Sequence, residues 1–369
     1  MKRFVLILTI LALALSFAAC GNSSPAAPAA TAAPEASPAA EAATAEEAPA
    51  AEAAQPEAST DKAVTLTAAV AGLTEDSPSG QALKKFAELC KEYSNGSVTI
   101  DCFFNTELGS VASAVEGLNQ GTIDIVSTGT SYFAGYVPQI QVFELPYIFK
   151  SYDEVHKALD NEPGKIVADL FESTNLKMLC YWESGMRHVT NSRNPIITPA
   201  DMAGLKIRTV VSETQQATWK AFGAIPMALD MGEVFTALQN HTVDAQENTL
   251  SSITTYKMQE VQKYLTLSYH SYTPMPFFIN RNVWNGLSAD QQAAIQRASE
   301  EARDLARELN AAGEEDCLKI LRDAGVEIEE HPDSEAFAAL CGPVYEIFNK
   351  AIGSDELLTT VQDYVAALR

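Results

Sequence analysis

The sequence predicts an α/β fold with two lobes, and three observations support this. Segments with a helical pattern alternate with short apolar segments, which favours a sheet covered by helices. About 300 residues follow the N-terminal segment, more than a single hydrophobic core usually organises. A helical pattern starts at Ser288 and continues past Glu315 towards Leu321, which is long enough to span two lobes.

The N-terminus has the pattern of an export signal that ends at a lipidated cysteine. Two basic residues precede an apolar run from Phe4 to Ala19, which is too short for an ordinary membrane-spanning helix. Small residues then precede Cys20, so we predict a lipoprotein signal peptide over 1–19, with Cys20 as the lipidated residue. Plain cleavage without lipidation is the alternative, because Phe17 departs from the usual lipobox.

Residues 20–60 have the composition of a tether. They are rich in Ala, Pro, Glu, Ser and Thr and contain almost no large aliphatic or aromatic residues, so they cannot bury enough apolar surface to fold. Proline keeps such a chain extended, and its glutamates repel one another. We therefore expect a disordered segment that holds the folded body away from the membrane.

The folded body begins with a strand, helix, strand, helix, strand series. A β-rich segment, Val64–Val70, precedes a helix that is capped at Ser79 and has apolar residues on one face. The second strand, Val98–Phe104, is almost continuously apolar, as in buried parallel sheets. A helix over 109–119 and a strand over 123–127 complete the series.

Two segments after this series are candidates for ligand contact. Thr128, Gly129 and Thr130 form a polar turn at the carboxyl end of a strand, where α/β folds bind ligands, so we predict that Thr130 lies near the ligand. An ordinary strand-to-helix connection is the alternative. The apolar segment Phe143–Phe149 resembles an aromatic ligand box, but we expect it to pack in the core under a loop.

The segment from Thr198 to Asn248 alternates helix and strand three times. Thr198 can cap a short helix that has Pro199 at its first position and Asp201 for a capping box. The elements that follow are a strand over Leu205–Val210, a helix from Ser212 to Gly223, a strand over Ile225–Ala228, a helix over Gly232–Gln239 and a strand over Val243–Asn248. Ligand sites are expected at the ends of such strands.

Arg208 is presented by the first of these strands. The alternation places Ile207 on the apolar face and Arg208 on the opposite face. A guanidinium keeps its proton, so in a cleft it needs an anionic partner, and a carboxylate matches its planar fork with two charge-assisted hydrogen bonds. The carboxylate of a ligand and a structural salt bridge both satisfy this requirement. The acids considered for a structural salt bridge are Asp230, Glu233 and Glu247.

The charge balance excludes several partners. The chain has 25 basic and 48 acidic residues and a formal net charge of −23, which argues against nucleic acid or an anionic membrane surface as partner. An acidic protein that binds an anion must concentrate positive charge locally, and Arg187 and Arg208 are the candidates. His188 lies beside Arg187, and a lone histidine of this kind is usually a hydrogen-bonded structural residue. Contact with the ligand is the alternative.

Motifs of enzymes, metal sites and cofactor sites are missing from the sequence. It contains no GxSxG, no HExxH and no phosphate loop, and its histidines and cysteines lack metal-ligand spacing. We expect no catalysis, no cofactor and no bound metal. Two cysteine pairs link neighbouring elements, namely Cys90 with Cys102 and Cys317 with Cys341. The sequence is compatible with a disulfide in each pair and with free thiols.

Several motifs are similar to those of one family. The most specific are GLKIR around Arg208, FGAIPMALDMGEVFTALQ after it, and VDAQEN. Agreement continues upstream through KKFAELCKEYSNGSVTIDCFFNTELG, GTIDIVSTGT and FELPYIF, and downstream through VQKYLTLSYHSY and LSADQQAAIQRASEEA. From Val64 to the C-terminus the chain resembles the solute-binding proteins of tripartite ATP-independent periplasmic (TRAP) transporters, the DctP-like family.

The resemblance implies a two-lobed periplasmic-binding-protein-like fold, with crossing strands, a hinge and a long helix spanning both lobes. The implied first lobe comprises 63–184 and 274–313, and the second comprises 185–273 and 314–369. The implied role is to close on a small organic acid without chemical turnover.

The resemblance also implies which residues bind the ligand. Arg208 of the GLKIR motif is the implied carboxylate clamp, and Arg187, which follows Gly185 and Met186, is the second arginine. The other predicted ligand-binding residues are Asn248, Met231, Thr130 and Glu247. The ligand expected by default is a C4-dicarboxylate, with a monocarboxylate or sugar acid as alternatives.

Two departures from the family pattern disfavour sialic acid. Where sialic acid binders carry an acid in the first-lobe turn, this chain has Gly129, and where they carry an asparagine after the motif arginine, it has Val211. The implied partners are the small and large subunits of a TRAP membrane permease, driven by an ion gradient. The expected location is extracytoplasmic, anchored to the membrane through Cys20. A receptor for a sensor kinase, or for another permease, is the alternative function.

Overall fold

The computed structural model of the protein describes residues 61–369. The predicted signal peptide (1–19), the lipidation site Cys20 and the predicted tether (20–60) lie outside the described residues. Between residues 61 and 369, no helix combines the length and the apolar character that crossing a membrane requires.

Helices and strands alternate along the described chain, as the sequence predicts. The strands are β1 (Val64–Ala71), β2 (Val98–Asn105), β3 (Ile125–Ser127), β4 (Leu176–Asn191), β5 (Lys206–Thr209), β6 (Ile225–Ala228), β7 (Ala245–Thr249), β8 (Tyr264–Thr266), β9 (Tyr272–Asn280) and β10 (Glu327–Glu329). The helices are α1 (Pro78–Tyr93), α2 (Val111–Gln120), α3 (Tyr152–Asp160), α4 (Glu162–Leu170), α5 (Glu213–Ala221), α6 (Met231–Gln239), α7 (Leu250–Thr255), α8 (Arg281–Asn285), α9 (Ala289–Asp323), α10 (Ser334–Ala338), α11 (Gly342–Ile352) and α12 (Glu356–Leu368). Short 3₁₀ turns, including Pro138–Glu144 and Pro199–Met202, connect some of them.

A mixed sheet carries the fold, with the strand order β2-β1-β3-β9-β4-β7-β5-β6. In the first half of the sheet, β1 pairs in parallel with β2 and β3. In the second half, β5 pairs in parallel with β6 and β7. The long strands β4 and β9 lie between the two halves and pair with each other antiparallel. β8 pairs with β4 and β10.

Local capping signals set where two elements begin, and both are confirmed. Thr198 and Asp201 form the predicted capping box of the 3₁₀ turn that precedes β5. Ser288 and Gln291 form the predicted capping box of α9. In each case the side chains satisfy backbone N–H groups that have no partner inside the helix, so a pattern of four residues is enough to locate the start.

The prediction for the start of α1 is wrong by two residues. Ser77, not Ser79, is the cap, and its side chain accepts a hydrogen bond from the N–H of Gly80. Pro78 explains the difference, because its fixed φ angle suits the first helical position directly after the cap. Ser79 is buried, and its hydroxyl donates to the carbonyl of Glu183 at 2.9 Å.

Apolar packing agrees with the sequence in two places. The apolar residues of the Phe143–Phe149 segment, including Phe143 and Phe149, are buried in the core, which confirms core packing for them. In β5, Ile207 is fully buried in an apolar cluster with Trp219 and Phe222, and Arg208 points to the other face, as the alternation predicts. Burying one such apolar side chain contributes roughly 1.5–3 kcal/mol.

The long helix α9 is confirmed at 35 residues, and it packs on α1, α7 and β4. The family resemblance implies that residues 314–369 belong to the second lobe. In the structure the last helix, α12, packs on α3 and α4, and its Val361 and Val365 belong to the same apolar cluster as Phe143. The lobe boundaries therefore stay a prediction, and any division must account for this contact.

Gly185 allows β4 to leave its first partner strand. The register between β4 and β9 shifts between Glu183 and Gly185, and from Arg187 onward β4 pairs with β7. Gly185 has a φ of 111°, which L side chains rarely adopt. A Cβ at this position would lie 3.0 Å from the Tyr152 hydroxyl, which accepts the N–H of Met186 at 3.1 Å. Glycine is thus favoured at this position for two reasons: the positive φ, and the short distance between an added Cβ and the Tyr152 hydroxyl.

Replacing Gly185 with alanine is expected to lower the free energy of unfolding by about 1–3 kcal/mol, because an L residue is strained in this conformation. Urea denaturation of the purified protein measures the change. The matched control is Gly313→Ala in α9, where nothing lies within 4 Å of the added Cβ. The control should be neutral or stabilising by up to about 1 kcal/mol. Equal stability of the Gly185 variant and the wild type would contradict the strain argument.

Candidate ligand-binding site

A cavity of about 100 Å³ lies where the two groups of parallel strands end. From the first half of the sheet, it is lined by residues that follow β1 and β3, including Gly72 and Gly129. From the second half, it is lined by Arg208 on β5 and Asn248 on β7, and β4 contributes Arg187. Convergent strand ends are the usual position of ligands in α/β folds.

Arg208 is buried without an ion-pair partner among residues 61–369. It is 2 % exposed, and its Nε donates to the carbonyl of Leu229 at 2.9 Å. Its terminal nitrogens, Nη1 and Nη2, have no hydrogen-bond partner in the described part of the chain, and Arg208 is one of the residues that line the cavity. Burial lowers the pKa of Arg208, which indicates that its positive charge is poorly compensated.

The acids proposed from the sequence as structural partners of Arg208 are all engaged elsewhere. Asp230 and Glu233 form the capping box of α6. Glu247 pairs with Arg187. The structural salt bridge that the sequence left open for Arg208 is therefore not formed to any of the three.

Arg187, in contrast, is compensated by Glu247. Its Nε donates to Oε2 at 2.5 Å and its Nη2 donates to Oε1 at 2.9 Å, so the pair is bidentate. Nη2 also donates to the Glu247 carbonyl at 2.9 Å, and Nη1 donates to the Thr273 hydroxyl at 2.8 Å. Pairing of β4 with β7 creates this contact, because Arg187 lies opposite Thr249 and Val189 lies opposite Glu247.

His270 completes the network around Glu247. Its Nε2 lies 3.3 Å from Glu247 Oε2, and its Nδ1 lies 2.8 Å from the Ser268 hydroxyl. Burial alone would raise the pKa of Glu247, but the charge of Arg187 and the hydrogen bonds from His270 and Arg187 outweigh it and lower that pKa to about 2. Glu247 is therefore ionised, and it neutralises one of the two cations at the cavity.

Asn248 and Met231 line the cavity together with Arg208. The side-chain amide nitrogen of Asn248 lies 3.8 Å from Met231 Sδ, a weak acceptor, and its oxygen accepts the N–H of Thr249 at 3.0 Å. Met231 is the first residue of α6. The structure thus brings together Arg208, Arg187, Asn248 and Met231 at one cavity.

Two predicted residues, Thr130 and Glu247, do not line the cavity. Thr130 is fully buried, whereas its neighbours Gly129 and Ser131 form part of the lining. Glu247 is fully buried and contacts the cavity only through Arg187. Direct contact of these two side chains with a ligand stays a prediction.

Sequence reasoning missed Glu144. This residue belongs to the Phe143–Phe149 segment, whose apolar residues pack in the core, but Glu144 itself lines the cavity. A single acid inside an otherwise apolar run was the available signal. Gln215, Tyr256 and Thr273 also line the cavity. No local pattern marks these three, because each belongs to an element whose position depends on long-range packing.

His188 does not line the cavity, although its neighbours Arg187 and Asn248 do. It is fully buried, and its ring packs edge-on against Tyr269 at a centroid distance of 4.5 Å. Burial lowers the pKa of His188 to about 3, so the ring is neutral. The expected hydrogen bonds are absent, since neither ring nitrogen has a partner among the described residues.

The cysteines between residues 61 and 369 are free thiols, so neither disulfide allowed by the sequence is formed. Burial raises the pKa of Cys102 to about 11, which makes this thiol unreactive at neutral pH. In the same range of residues, no group of three or more His, Cys, Asp or Glu side chains is arranged to hold a metal ion.

Comparison with known proteins identifies the family. Residues 69–351 match bacterial extracellular solute-binding protein family 7, DctP. The chain belongs to this family. The family resemblance predicted from the sequence motifs is thereby confirmed, as is the expectation of a binding protein rather than an enzyme.

Relatives with known ligands align over most of this family 7 protein. The 2,3-diketo-L-gulonate-binding periplasmic protein of Escherichia coli (strain K12) is 38% identical over 279 residues, which cover 75% of this chain and 85% of that protein. The C4-dicarboxylate-binding periplasmic protein DctP of Rhodobacter capsulatus is 32% identical over 286 residues, which cover 76% of this chain and 86% of that protein.

Solved structures confirm the two-lobed α/β fold. The sugar acid binding protein DctPAm from Advenella mimigardefordensis, in complex with galactonate, superposes with a TM-score of 0.79 at 33% identity and covers 84% of this chain and 99% of that chain. A TRAP periplasmic solute binding protein from Sulfurospirillum deleyianum, with bound succinate, superposes with a TM-score of 0.75 at 31% identity and covers 81% of this chain and 98% of that chain.

Replacing Glu247 with glutamine is expected to lower the free energy of unfolding by about 3–5 kcal/mol, because Arg187 is left as an unpaired buried charge. The double variant Arg187→Gln, Glu247→Gln should be more stable than this single variant, because it removes both charges. Urea denaturation measures both. Glu315→Gln on the exposed face of α9 is the control and should change stability by less than about 0.5 kcal/mol.

The acid dependence of stability supplies a second readout. Because the pKa of Glu247 falls from 4.5 to about 2 on folding, its contribution is present above pH 4.5 and is lost as the pH falls towards 2. The double variant should lose less stability than the wild type over this window. Identical pH profiles would contradict the assigned ion pair.

Proposed function

We propose that this protein binds a small organic acid in the cavity at the strand ends, and that Arg208 receives its carboxylate. One observation carries the proposal: the terminal nitrogens of Arg208 have no partner among residues 61–369, although the residue is 2 % exposed. The neighbouring Arg187 is fully engaged with Glu247 and Thr273 except for one N–H of Nη1. Among the described residues that line the cavity, Arg208 is therefore the cation that has no anionic partner.

The physical reason is the cost of an uncompensated buried charge. A guanidinium stays protonated, so burial without a partner is unfavourable. A carboxylate that enters the cavity can accept two charge-assisted hydrogen bonds from Nη1 and Nη2, because Nε is held by the Leu229 carbonyl. Arg187 and Asn248 can each donate to the same ligand, and Met231 provides an apolar wall. Glu247 then acts indirectly, by holding Arg187 in place.

Hydrogen bonds between the two predicted lobes support a closed arrangement, in which a bound ligand is enclosed. The Tyr256 hydroxyl, after α7, donates to the carbonyl of Gly72, after β1, at 2.7 Å. Gln141 donates to the Ser212 hydroxyl at 3.0 Å. If the lobes separate on ligand release, these hydrogen bonds break. A ligand that contacts both sides then stabilises the closed state by its higher affinity for it.

The relatives support an organic acid as ligand and a membrane permease as partner. The names of the two relatives refer to a diketo sugar acid and to C4-dicarboxylates. We propose that this protein delivers such an acid to the small and large subunits of a TRAP-type permease driven by an ion gradient. The proposed location is outside the cytoplasm, anchored to the membrane by a lipid on Cys20.

Replacing Arg208 with methionine should abolish binding without destabilising the unliganded protein by more than about 1 kcal/mol, because a buried unpaired cation contributes little stability. Arg208→Lys keeps the charge but loses the planar fork, so its affinity should fall at least about tenfold. Thermal shift with succinate, D-gluconate and 2,3-diketo-L-gulonate, followed by calorimetry, measures the affinity of both variants.

A ligand present at 100 times its dissociation constant should stabilise the wild type by about 2.7 kcal/mol. The control is Arg193→Gln, which replaces a cation that is 46% exposed and does not line the cavity, and this variant should bind as the wild type does. Unchanged affinity in the Arg208 variants would refute the assignment.

Replacing Cys20 with alanine should move the protein from the membrane fraction to the soluble fraction of cells, because no acyl chain can then be attached. Detergent phase partitioning and mass spectrometry of the mature N-terminus measure this. Cys341→Ala, in the folded body, should leave the distribution unchanged. A wild-type protein found only in the soluble fraction would contradict lipid anchoring.

A further inference from the structure

Glu144 brings a carboxyl group to the cavity that also contains Arg208. It is the last residue of the 3₁₀ turn Pro138–Glu144 and is 8 % exposed. The Ser131 hydroxyl donates a hydrogen bond to Oε2 of Glu144 at 2.6 Å. The other carboxyl oxygen, Oε1, lies beside Gly129, 3.9 Å from the position that a Cβ on this glycine would occupy. Glu144 forms no ion pair within the described residues, although two arginines line the same cavity.

The charges of the lining limit the charge of the ligand. Among residues 61–369, the charged side chains that line the cavity are Arg187, Arg208 and Glu144. Since Glu247 neutralises Arg187, one cation and one acid remain. A monocarboxylate can pair with Arg208. The second carboxylate of a dicarboxylate would meet no cation that lacks a partner. An ionised Glu144 in the same small space would repel it.

Glu144 itself needs hydrogen-bond donors. An ionised carboxylate accepts hydrogen bonds but donates none, and burial without donors is unfavourable. Burial raises the pKa of Glu144, and the hydrogen bond from Ser131 and the charge of Arg187 oppose this effect. A ligand hydroxyl is the neutral group that can supply a further donor. The other polar groups of the lining are also uncharged, namely hydroxyls and the side-chain amides of Gln215 and Asn248.

We infer that the ligand is a hydroxylated monocarboxylate of the aldonic acid class, and that Glu144 is the residue that selects it by accepting hydrogen bonds from its hydroxyl groups. This inference rests on the proposed function, in which Arg208 takes the ligand's carboxylate. It separates three chemical classes of equal carbon number. Hydroxy acids satisfy both Arg208 and Glu144, plain fatty acids leave Glu144 without a donor, and dicarboxylates place a second anion against it.

The test is a calorimetric comparison of acids that are matched in length. The four-carbon set is D-erythronate, succinate and butyrate, and the six-carbon set is D-gluconate, adipate and hexanoate. In the wild type, the hydroxy acid of at least one set should bind at least about tenfold more tightly than the other two acids, because unsatisfied polar groups in a site reject analogues that lack their partner. This ranking of affinities is measured on the wild-type protein alone.

Glu144→Gln then tests the residue. Glutamine keeps the shape but removes the charge, so a charge-assisted hydrogen bond becomes a neutral one and repulsion of a second carboxylate disappears. The affinity ratio of hydroxy acid to dicarboxylate should fall at least about tenfold. The matched control is Glu314→Gln, a partly buried glutamate that lines a different cavity, and it should leave the ratio unchanged. Melting temperatures verify that both variants are folded.

The outcomes separate this inference from the proposed function. Tighter binding of succinate or adipate than of the hydroxy acids, abolished by Arg208→Met, would overturn the inference and leave the function of Arg208 intact. An unchanged ratio in a folded Glu144→Gln variant would overturn the role of Glu144. Binding that survives Arg208→Met, or no binding of any acid in either set, would overturn both.

Discussion

The ion pair between Arg187 and Glu247 is the interaction on which the chemistry of the cavity depends. It joins β4 to β7, and it neutralises one of the two arginines that line the cavity. Without it, two cations would face one small space and repel each other. With it, Arg208 is the one cation of the lining that has no anionic partner in the described part of the chain. The pair therefore converts a general positive surface into a site for one carboxylate.

The crossing strands explain why these groups meet. β4 pairs with β9 along its first part and with β7 along its last part, and Gly185 lies at the change of partner. The two groups of parallel strands therefore lie on opposite sides of the central pair, β4 and β9. Their carboxyl ends then converge on the cavity, with Thr128 from one group and Asn248 from the other. Rigid strand ends, rather than loops alone, hold the polar side chains in place.

Electrostatics acts on two scales in this solute-binding protein. The whole chain is strongly acidic, with a net charge of −23, whereas the cavity presents arginines to its ligand. An anion is therefore repelled by the general surface and attracted by one buried group. Glu144 adds a further discrimination inside the cavity, because an acceptor without a matching cation favours neutral donors. Charge placement, rather than total charge, defines the ligand class.

Local patterns in the sequence determined much of the fold. The capping boxes at Thr198 and Ser288, the alternation that turns Arg208 away from the core, and the length of α9 are all readable from residues close in the chain. These features depend on interactions between neighbours, and the family motifs covered the same segments. The Ser77 cap was missed because the proline that fixes it lies between two serines that are both suitable.

Only the tertiary structure decided which arginine is free. Arg187 and Glu247 are 60 residues apart, and their contact depends on the register between β4 and β7, which no local pattern reports. The same holds for Glu144. It lies in a segment whose apolar residues correctly predict core packing, and its place at the cavity follows from how that segment packs against β9. Sequence thus identified the residue types, whereas long-range pairing determined which of them remain unsatisfied and available to a ligand.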